Sequence, residues 1–218
     1  MVILSDLSEV LIMGLYDLEK IIAKYYGEAV GEAFLARRRS IYEDTFIEVL
    51  RGRCSEDAYW QKFMEEGEWP FNVEDIKRCV SENLKIVVPG TIELYKNIVA
   101  YPSSFDKKAQ IMQGRPEIFI ISDHLAERVP ELKGYHPDLF EIVSREYWSC
   151  DTGSLKGDSG FFTCFLEEFN LKAKECLFID DYERNIGIAE EAGIEAIQFK
   201  SAEQLKADME KLGFRFSE

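Results

Sequence analysis

Three apolar runs in this chain each end in a cluster of polar side chains. Val2-Ile3-Leu4 leads into Ser5-Asp6-Leu7-Ser8, and Ile118-Phe119-Ile120-Ile121 leads into Ser122-Asp123-His124. Cys176-Leu177-Phe178-Ile179 leads into Asp180-Asp181. Short apolar runs of this kind read as buried strands. In a parallel sheet, ligands bind outside the carboxyl ends of the strands. Three strands presenting Asp, Ser and Asp-Asp at one edge would therefore build a single site. A carboxylate pair is costly to bury unless something positive is beside it. Mg²⁺ is the natural candidate, because it prefers carboxylates and water. Lys156, in Asp151-Thr152-Gly153-Ser154-Leu155-Lys156-Gly157, is within reach of the same edge.

The elements that would position these residues can be read from periodicity. After the first run nothing strand-like appears until about Val87. From Tyr16 onward the pattern is helical, with Leu18, Ile21, Ile22 and Tyr25 at three-to-four spacing. Ser55 is placed to cap a helix carrying Tyr59, Trp60, Phe63 and Met64, and Asn72 another carrying Ile76, Cys79, Val80 and Leu84. Val87 to Thr91 reads as a return crossing, with Thr91 capping a helix through Ile98. Ala100 to Pro116 reads as a loop, long for a compact domain. Strands and helices then alternate. Further strands are expected at Glu146–Ser149 and Glu195–Phe199, and helices at Phe161–Asn170, at Asn185–Ala192 and after a Ser201-Ala202-Glu203-Gln204 capping box. Alternation of this kind predicts an α/β fold, a parallel sheet with helices on both faces.

Composition bounds the function. The 218 residues carry 26 Lys+Arg against 41 Asp+Glu, a formal net charge of −15. That surplus repels polyphosphate, so a nucleic-acid partner is not expected. An anionic substrate needs a cation or a local basic pocket to offset the field. No apolar run approaches the ~18 residues of a membrane helix. The amino-terminal stretch lacks a basic region and is broken by Asp6, so no signal peptide is expected. Five cysteines, an odd number at wide spacings, point to reduced thiols and a cytoplasmic protein. Cys164 and Cys176 lie in apolar patterns and are expected to pack.

Taken together and in order, the four segments resemble the motifs of the haloacid dehalogenase superfamily. ILSDLSEVL is similar to the first motif, IFIISDH to the second, the segment around Lys156 to the third and IDDYERN to the fourth. The helical insert directly after the first motif is similar to the cap of the subfamily with epoxide-hydrolase-type and sugar-phosphatase members. The resemblance covers essentially the whole chain. It implies a Rossmann-like core of residues 1–14 and 88–218 and a helical cap of residues 15–87. It also implies a Mg²⁺-dependent phosphatase acting on a small phosphorylated metabolite. Asp6 would be the nucleophile, forming an aspartyl-phosphate. Ser122, Asp123 and the backbone N–H groups around them would hold phosphate oxygens, and Lys156 would neutralise nucleophile and phosphoryl group. Mg²⁺ would be held by Asp6, the Ser8 carbonyl and Asp181, with Asp180 adjacent. Asn185 would brace the loop or the lysine.

Two positions depart from that pattern. Family phosphatases usually carry an acid–base Asp two residues after the nucleophile, and here Ser8 stands there. The backbone carbonyl survives the change; the proton donor, worth about 10²–10⁴-fold, does not. Glu9 is adjacent but is expected to point away. The expected substrate is therefore one with a good leaving group, such as an anomeric or acyl phosphate, in the sugar-phosphate class. Two other readings stay open at this point: a dehalogenase-type hydrolase using the same Asp6, and a weak or inactive binding protein. Gly157 stands where relatives often have Pro, which removes no chemical group.

Other side chains admit plain readings. His124 faces the substrate, caps a helix or lies at the surface, and the sequence does not decide. His136 reads as a loop residue. The Arg37-Arg38-Arg39 triplet reads as a solvated face paired with acids such as Glu43 and Asp44, while Arg51 is open. Trp60, Phe63 and Trp69 read as the core of the insert.

Overall fold

A computed structural model describes residues 1–14, 18–41, 45–65, 67–100 and 116–216. Among them, five strands form one sheet: β1 (Val2–Ser5), β2 (Glu117–Ser122), β3 (Arg145–Trp148), β4 (Cys176–Asp180) and β5 (Glu195–Gln198). The order is β3-β2-β1-β4-β5, and every pairing is parallel. β1 is central and buried on both faces. Ile3, Ile118, Ile120, Leu177 and Ile179 point into one apolar cluster, and Leu4, Phe119, Ile121 and Phe178 into the other. Burial on both faces is why these segments are continuous apolar runs rather than alternating ones. The register sets the site. Ser5 pairs with Ile120 on one side and Ile179 on the other, so Asp6 emerges beside Asp180 at the carboxyl edge.

Helices cover both faces, as expected for this α/β class. α1 (Leu18–Tyr26), α2 (Glu28–Ser40), α3 (Ile47–Leu50), α4 (Glu56–Met64), α5 (Val73–Asn83) and α6 (Thr91–Ala100) lie between β1 and β2. α7 (Val129–Tyr135), α8 (Pro137–Phe140) and α9 (Ser149–Thr152) flank β3. α10 (Phe161–Glu168), α11 (Glu183–Glu191) and α12 (Ala202–Lys211) complete the chain. Leu94, Tyr95 and Ile98 of α6 and Leu205 and Met209 of α12 pack on the Ile3 face. Phe161, Phe162 and Phe165 of α10 and Ala189 of α11 pack on the Leu4 face. No helix among the described residues is long and apolar enough to cross a membrane.

The insert α1–α5 has an aromatic centre. Phe34, Trp60 and Phe63 are fully buried, and Trp69 stacks on Phe71. Ser55 caps α4 by accepting the Ala58 N–H, and Asn72 and Asp75 form a reciprocal capping box on α5. The two chain crossings that join the insert to the sheet lie side by side. Met13 N–H donates to Ile86 O (2.7 Å) and Val88 N–H to Leu11 O (3.0 Å). A buried ion pair adds a second tie: Arg128, before α7, reaches Glu56 of α4 at 2.6 Å.

Several expectations need correction. Thr91 is the first residue of α6 rather than its cap, and its buried hydroxyl has no hydrogen-bond partner among the described residues. In the Ser201 box, Gln204 Oε1 accepts from Lys200 N rather than from Ser201 N. Cys164 is exposed, because it lies on the outer side of α10. His136 is the loop residue expected, between α7 and α8, but it is buried, with Nε2 2.6 Å from Leu84 O. The 100–116 loop, apart from its two end residues, and Tyr16, Glu43 and Asp44 lie outside the described residues.

Candidate active site

Asp6 follows β1 directly. Its N–H extends the sheet pairing to Ile179 O (2.8 Å), and its Oδ1 accepts the Leu7 N–H (2.7 Å). Its other oxygen, Oδ2, lies 2.7 Å from Lys156 Nζ. Lys156 comes from the loop after α9, where Gly153 ends the helix in the left-handed region (φ 74°). Asp158 folds that loop by accepting the Leu155 N–H, and Asp123 accepts the Lys156 N–H (3.2 Å). The ammonium so positioned also lies 2.7 Å from Asp180 Oδ2.

The two acids that end β4 have different surroundings. Asp180 is fully buried. It takes the Tyr182 N–H (2.8 Å), and Asn185 Nδ2 lies 3.1 Å from both of its oxygens. Asp180 and Asn185 together hold Lys156 in place. Asp181 is only half-buried and lines a cavity of about 520 Å³, as do Asp6, Ser8, Asp123 and Lys156. Carboxylate oxygens of Asp6, Asp180 and Asp181 lie within 4.8 Å of one another.

The charges explain what this arrangement wants. Burial pushes the Asp6 carboxyl up, and the Lys156 ammonium works against that. Asp181 is raised by burial and by Asp180, and Asp123 by burial. Burial opposes the Lys156 charge, but Asp180, Asp6 and Asp123 outweigh it and hold the ammonium above its ordinary value. Three clustered carboxylates facing one ammonium leave a surplus of negative charge in a desolvated place. A hard divalent cation among oxygen donors fits that surplus.

The remaining predicted residues divide. Ser8 lines the cavity. Glu9 adopts a left-handed backbone (φ 60°), and its carboxylate accepts the Gly14 N–H at 2.8 Å. Ser122 ends β2, is 2% exposed and is not part of the cavity lining, whereas Asp123 and His124 are. Arg51 donates two 2.7 Å hydrogen bonds to Asp158 and one of 2.8 Å to Gly153 O, tying the insert to the lysine loop. That pairing holds the Asp158 carboxyl below its usual range. The arginine triplet is not a uniform solvated face. Arg37 caps the end of α4 through Phe63 O and Lys62 O, Arg38 lines the cavity 3.8 Å from Glu19, and Arg39 is exposed. Sequence reasoning missed Asp158 and the wall formed by Phe46, Ile47 and Leu50. Both depend on contacts across about a hundred residues, which spacing does not reveal.

His124 is buried, and its ring meets Trp148 edge-on at 5.8 Å. Its N–H donates to Ser149 Oγ and its Nδ1 accepts the Leu125 N–H (2.8 Å). Burial lowers its pKa from 6.5 to about 4, so the ring is neutral at physiological pH. The folded state then binds fewer protons than the unfolded one between these values. The stabilisation is complete above pH 6.5 and is lost as pH falls towards 4. His124→Asn keeps an acceptor for Leu125 and removes the titration. The stability of the wild type relative to this variant is expected to fall by about 2 kcal/mol from pH 7.5 to pH 5. Urea unfolding at the two pH values measures it, and a constant difference would contradict the neutral buried ring.

No protein-family model matches the chain. A chloroplastic flavin mononucleotide hydrolase of Arabidopsis thaliana is 26% identical over 173 residues, covering 79% of this chain and 63% of the relative. The match thus spans less than two thirds of that relative's length. Among solved structures, a predicted HAD-like family hydrolase from Porphyromonas gingivalis superposes with TM-score 0.66 at 17% identity, covering 96% of each chain. A HAD family enzyme from Bacteroides thetaiotaomicron, in complex with magnesium and inorganic phosphate, gives 0.64 at 16% identity over 91% of this chain and 93% of that one. L-2-haloacid dehalogenase from Xanthobacter autotrophicus gives 0.61 at 13% identity over 97% and 83%.

Proposed function

We propose, from the premise that this chain has the haloacid dehalogenase-like fold, that it is a Mg²⁺-dependent phosphomonoesterase working through Asp6. The observation that carries the reading is the lysine bridge: Lys156 Nζ stands 2.7 Å from both Asp6 and Asp180, while Asp181 opens to the cavity. The magnesium and phosphate complex of the Bacteroides relative supports it.

The Asp6 carboxylate would attack phosphorus as the ester P–O bond breaks, giving an aspartyl-phosphate that water then hydrolyses. Lys156 would offset charge on Asp6 and on the transferring group. Asp180 and Asn185 act through Lys156 by fixing its position. Asp123 lines the cavity and steadies the lysine loop, and the N–H groups after Ser122 would hold phosphate oxygens. Asp6, Asp181 and the Ser8 carbonyl would hold Mg²⁺. When bound, the metal neutralises phosphoryl oxygens and orients them. Residues 15–87 would act as a cap on a core of 1–14 and 88–218, excluding bulk water from the first step.

Ser8 supplies no acid near neutral pH, and Glu9 is engaged with Gly14. The reading therefore favours leaving groups that depart without a proton. Phosphate release from acetyl phosphate, glucose 1-phosphate, glucose 6-phosphate and flavin mononucleotide, with Mg²⁺ and with chelator, tests it. Metal-dependent release with glucose 1-phosphate well ahead of glucose 6-phosphate is expected, and Ser8→Asp should narrow that gap. Release unaffected by chelation, or halide release instead, would turn the account to the dehalogenase reaction.

A further inference from the structure

The carboxylate end of the cavity is polar, and the rest of its lining mixes apolar side chains with Arg38, Tyr182 and Arg184. The insert contributes Phe46, Ile47 and Leu50, and the loops after β2 and α9 contribute Leu125 and Leu155. Arg51 and Asp158, which share the lining, satisfy each other. His124 adds one directed group. Its Nδ1 accepts the Leu125 N–H, so a neutral ring carries its proton on Nε2, and that N–H has no hydrogen-bond partner among the described residues. Apolar side chains beside a guanidinium, as where Arg38 lies 5.9 Å from the Phe46 ring centroid, form a surface on which a flat ring packs.

A second, independent observation concerns the leaving oxygen. The side chain two residues after Asp6 is the Ser8 hydroxyl. The neighbouring carboxylate, Glu9, accepts the Gly14 N–H from a left-handed backbone. The Asp6 loop thus offers no acid to the departing oxygen. An aliphatic alkoxide is a poor leaving group, because its conjugate acid is about as weak as water. A phenol-type hydroxyl, with a pKa of about 10, leaves far more readily as its anion.

We propose that the substrate is an aryl phosphate, a phosphomonoester of a hydroxyl carried directly on an apolar ring. This rests on the phosphatase reading and narrows it. The ring lies among Phe46, Ile47, Leu50, Leu125 and Leu155, and His124 Nε2–H donates to an oxygen of the substrate. In the first step the Asp6 oxygen forms its bond to phosphorus. The aryl C–O–P linkage breaks at P–O, and the electron pair leaves on the aryl oxygen. The phenolate takes its proton from water, so no protein acid is required.

Four esters and one control separate the parts. Phenyl phosphate and benzyl phosphate share an apolar ring and differ in the leaving oxygen. Benzyl phosphate and glucose 6-phosphate are both alkyl esters and differ in the body. Glucose 1-phosphate pairs a polar body with an anomeric leaving group, and acetyl phosphate reports the phosphoryl site alone. The expected kcat/KM for phenyl phosphate exceeds that for benzyl phosphate by about 100-fold or more, the scale of a missing general acid. It exceeds that for glucose 1-phosphate as well, and benzyl phosphate exceeds glucose 6-phosphate by about tenfold. Ser8→Asp should raise benzyl phosphate turnover more than phenyl phosphate turnover. Equal rates for phenyl and benzyl phosphate, or either glucose phosphate matching phenyl phosphate, would overturn this inference and leave the phosphatase reading standing. No release from any of the five, acetyl phosphate included, would overturn both.

Discussion

Lys156→Met is expected to abolish turnover and to destabilise the fold by about 3–5 kcal/mol, the scale for removing one partner of a buried ion pair. Lys156 is 3% exposed and stands between Asp6 and Asp180, which are 8% and 0% exposed as side chains. Without the ammonium, two carboxylates are left in a desolvated strand edge beside a third, Asp181. Burial already pushes Asp6 up, and only Lys156 counters it strongly. The variant therefore takes up protons on folding, and its deficit is largest at neutral pH and shrinks as pH falls towards 5. Adding Asp180→Asn removes one orphaned charge and should restore part of the stability but none of the turnover. Urea unfolding of the three proteins at two pH values measures this. A cost under about 1 kcal/mol would mean that the bridge is not a buried ionic one.

Arg128→Met is the second large effect, and it acts on the insert rather than on the chemistry. Arg128 and Glu56 are 3% and 1% exposed and lie 2.6 Å apart. Arg128 also reaches Glu131 and the Ser81 hydroxyl, and the Trp60 indole N–H donates to Glu56 Oε1. Two elements of this network come from each side: α4 and α5 from the insert, the Arg128 segment and α7 from the chain beyond β2. Truncating Arg128 leaves Glu56 buried with only the indole for company, at an expected cost of about 3–5 kcal/mol. Arg128→Met combined with Glu56→Leu removes both charges and should cost much less than the single change. The network is not fully satisfied even in the native state, since Glu56 Oε2 and Arg128 Nε are buried without partners among the described residues. A double variant as unstable as the sum of the singles would contradict this account of the tie.

The edge that holds the carboxylates was legible because buried parallel strands advertise themselves. Val2-Ile3-Leu4 and Cys176-Leu177-Phe178-Ile179 are apolar at every position because both faces of the sheet are covered. The polar residues that end such runs have one place to go. Helix starts at Ser55 and Asn72 were legible for a similarly local reason, a side-chain oxygen three residues before the N–H it accepts. Direction is a different matter. Nothing in the order of Asp180 and Asp181 says that the first anchors Lys156 while the second lines the cavity; that follows from the strand ending at Asp180. Arg51 and Asp158 are 107 positions apart, and Arg128 and Glu56 are 72 apart. One sequence carries no signal for either pair. Thr91 had the chemistry of a cap but sits one residue inside α6, where its hydroxyl is buried instead. The burial of His124 and His136 was not legible, because burial of an imidazole depends on what folds over it.

The central claim is that Asp6 is phosphorylated during turnover. Wild type and Asp6→Asn can be mixed with acetyl phosphate and Mg²⁺, quenched in acid within the first turnovers, and measured as intact protein and as peptides by mass spectrometry. The account predicts that the wild type transiently gains one phosphoryl group on the peptide holding Asp6, that chelation prevents it, and that Asp6→Asn gains none and releases no phosphate. Phosphate release by the wild type with no covalent adduct under conditions of rapid quench, or release that persists in Asp6→Asn, would contradict it.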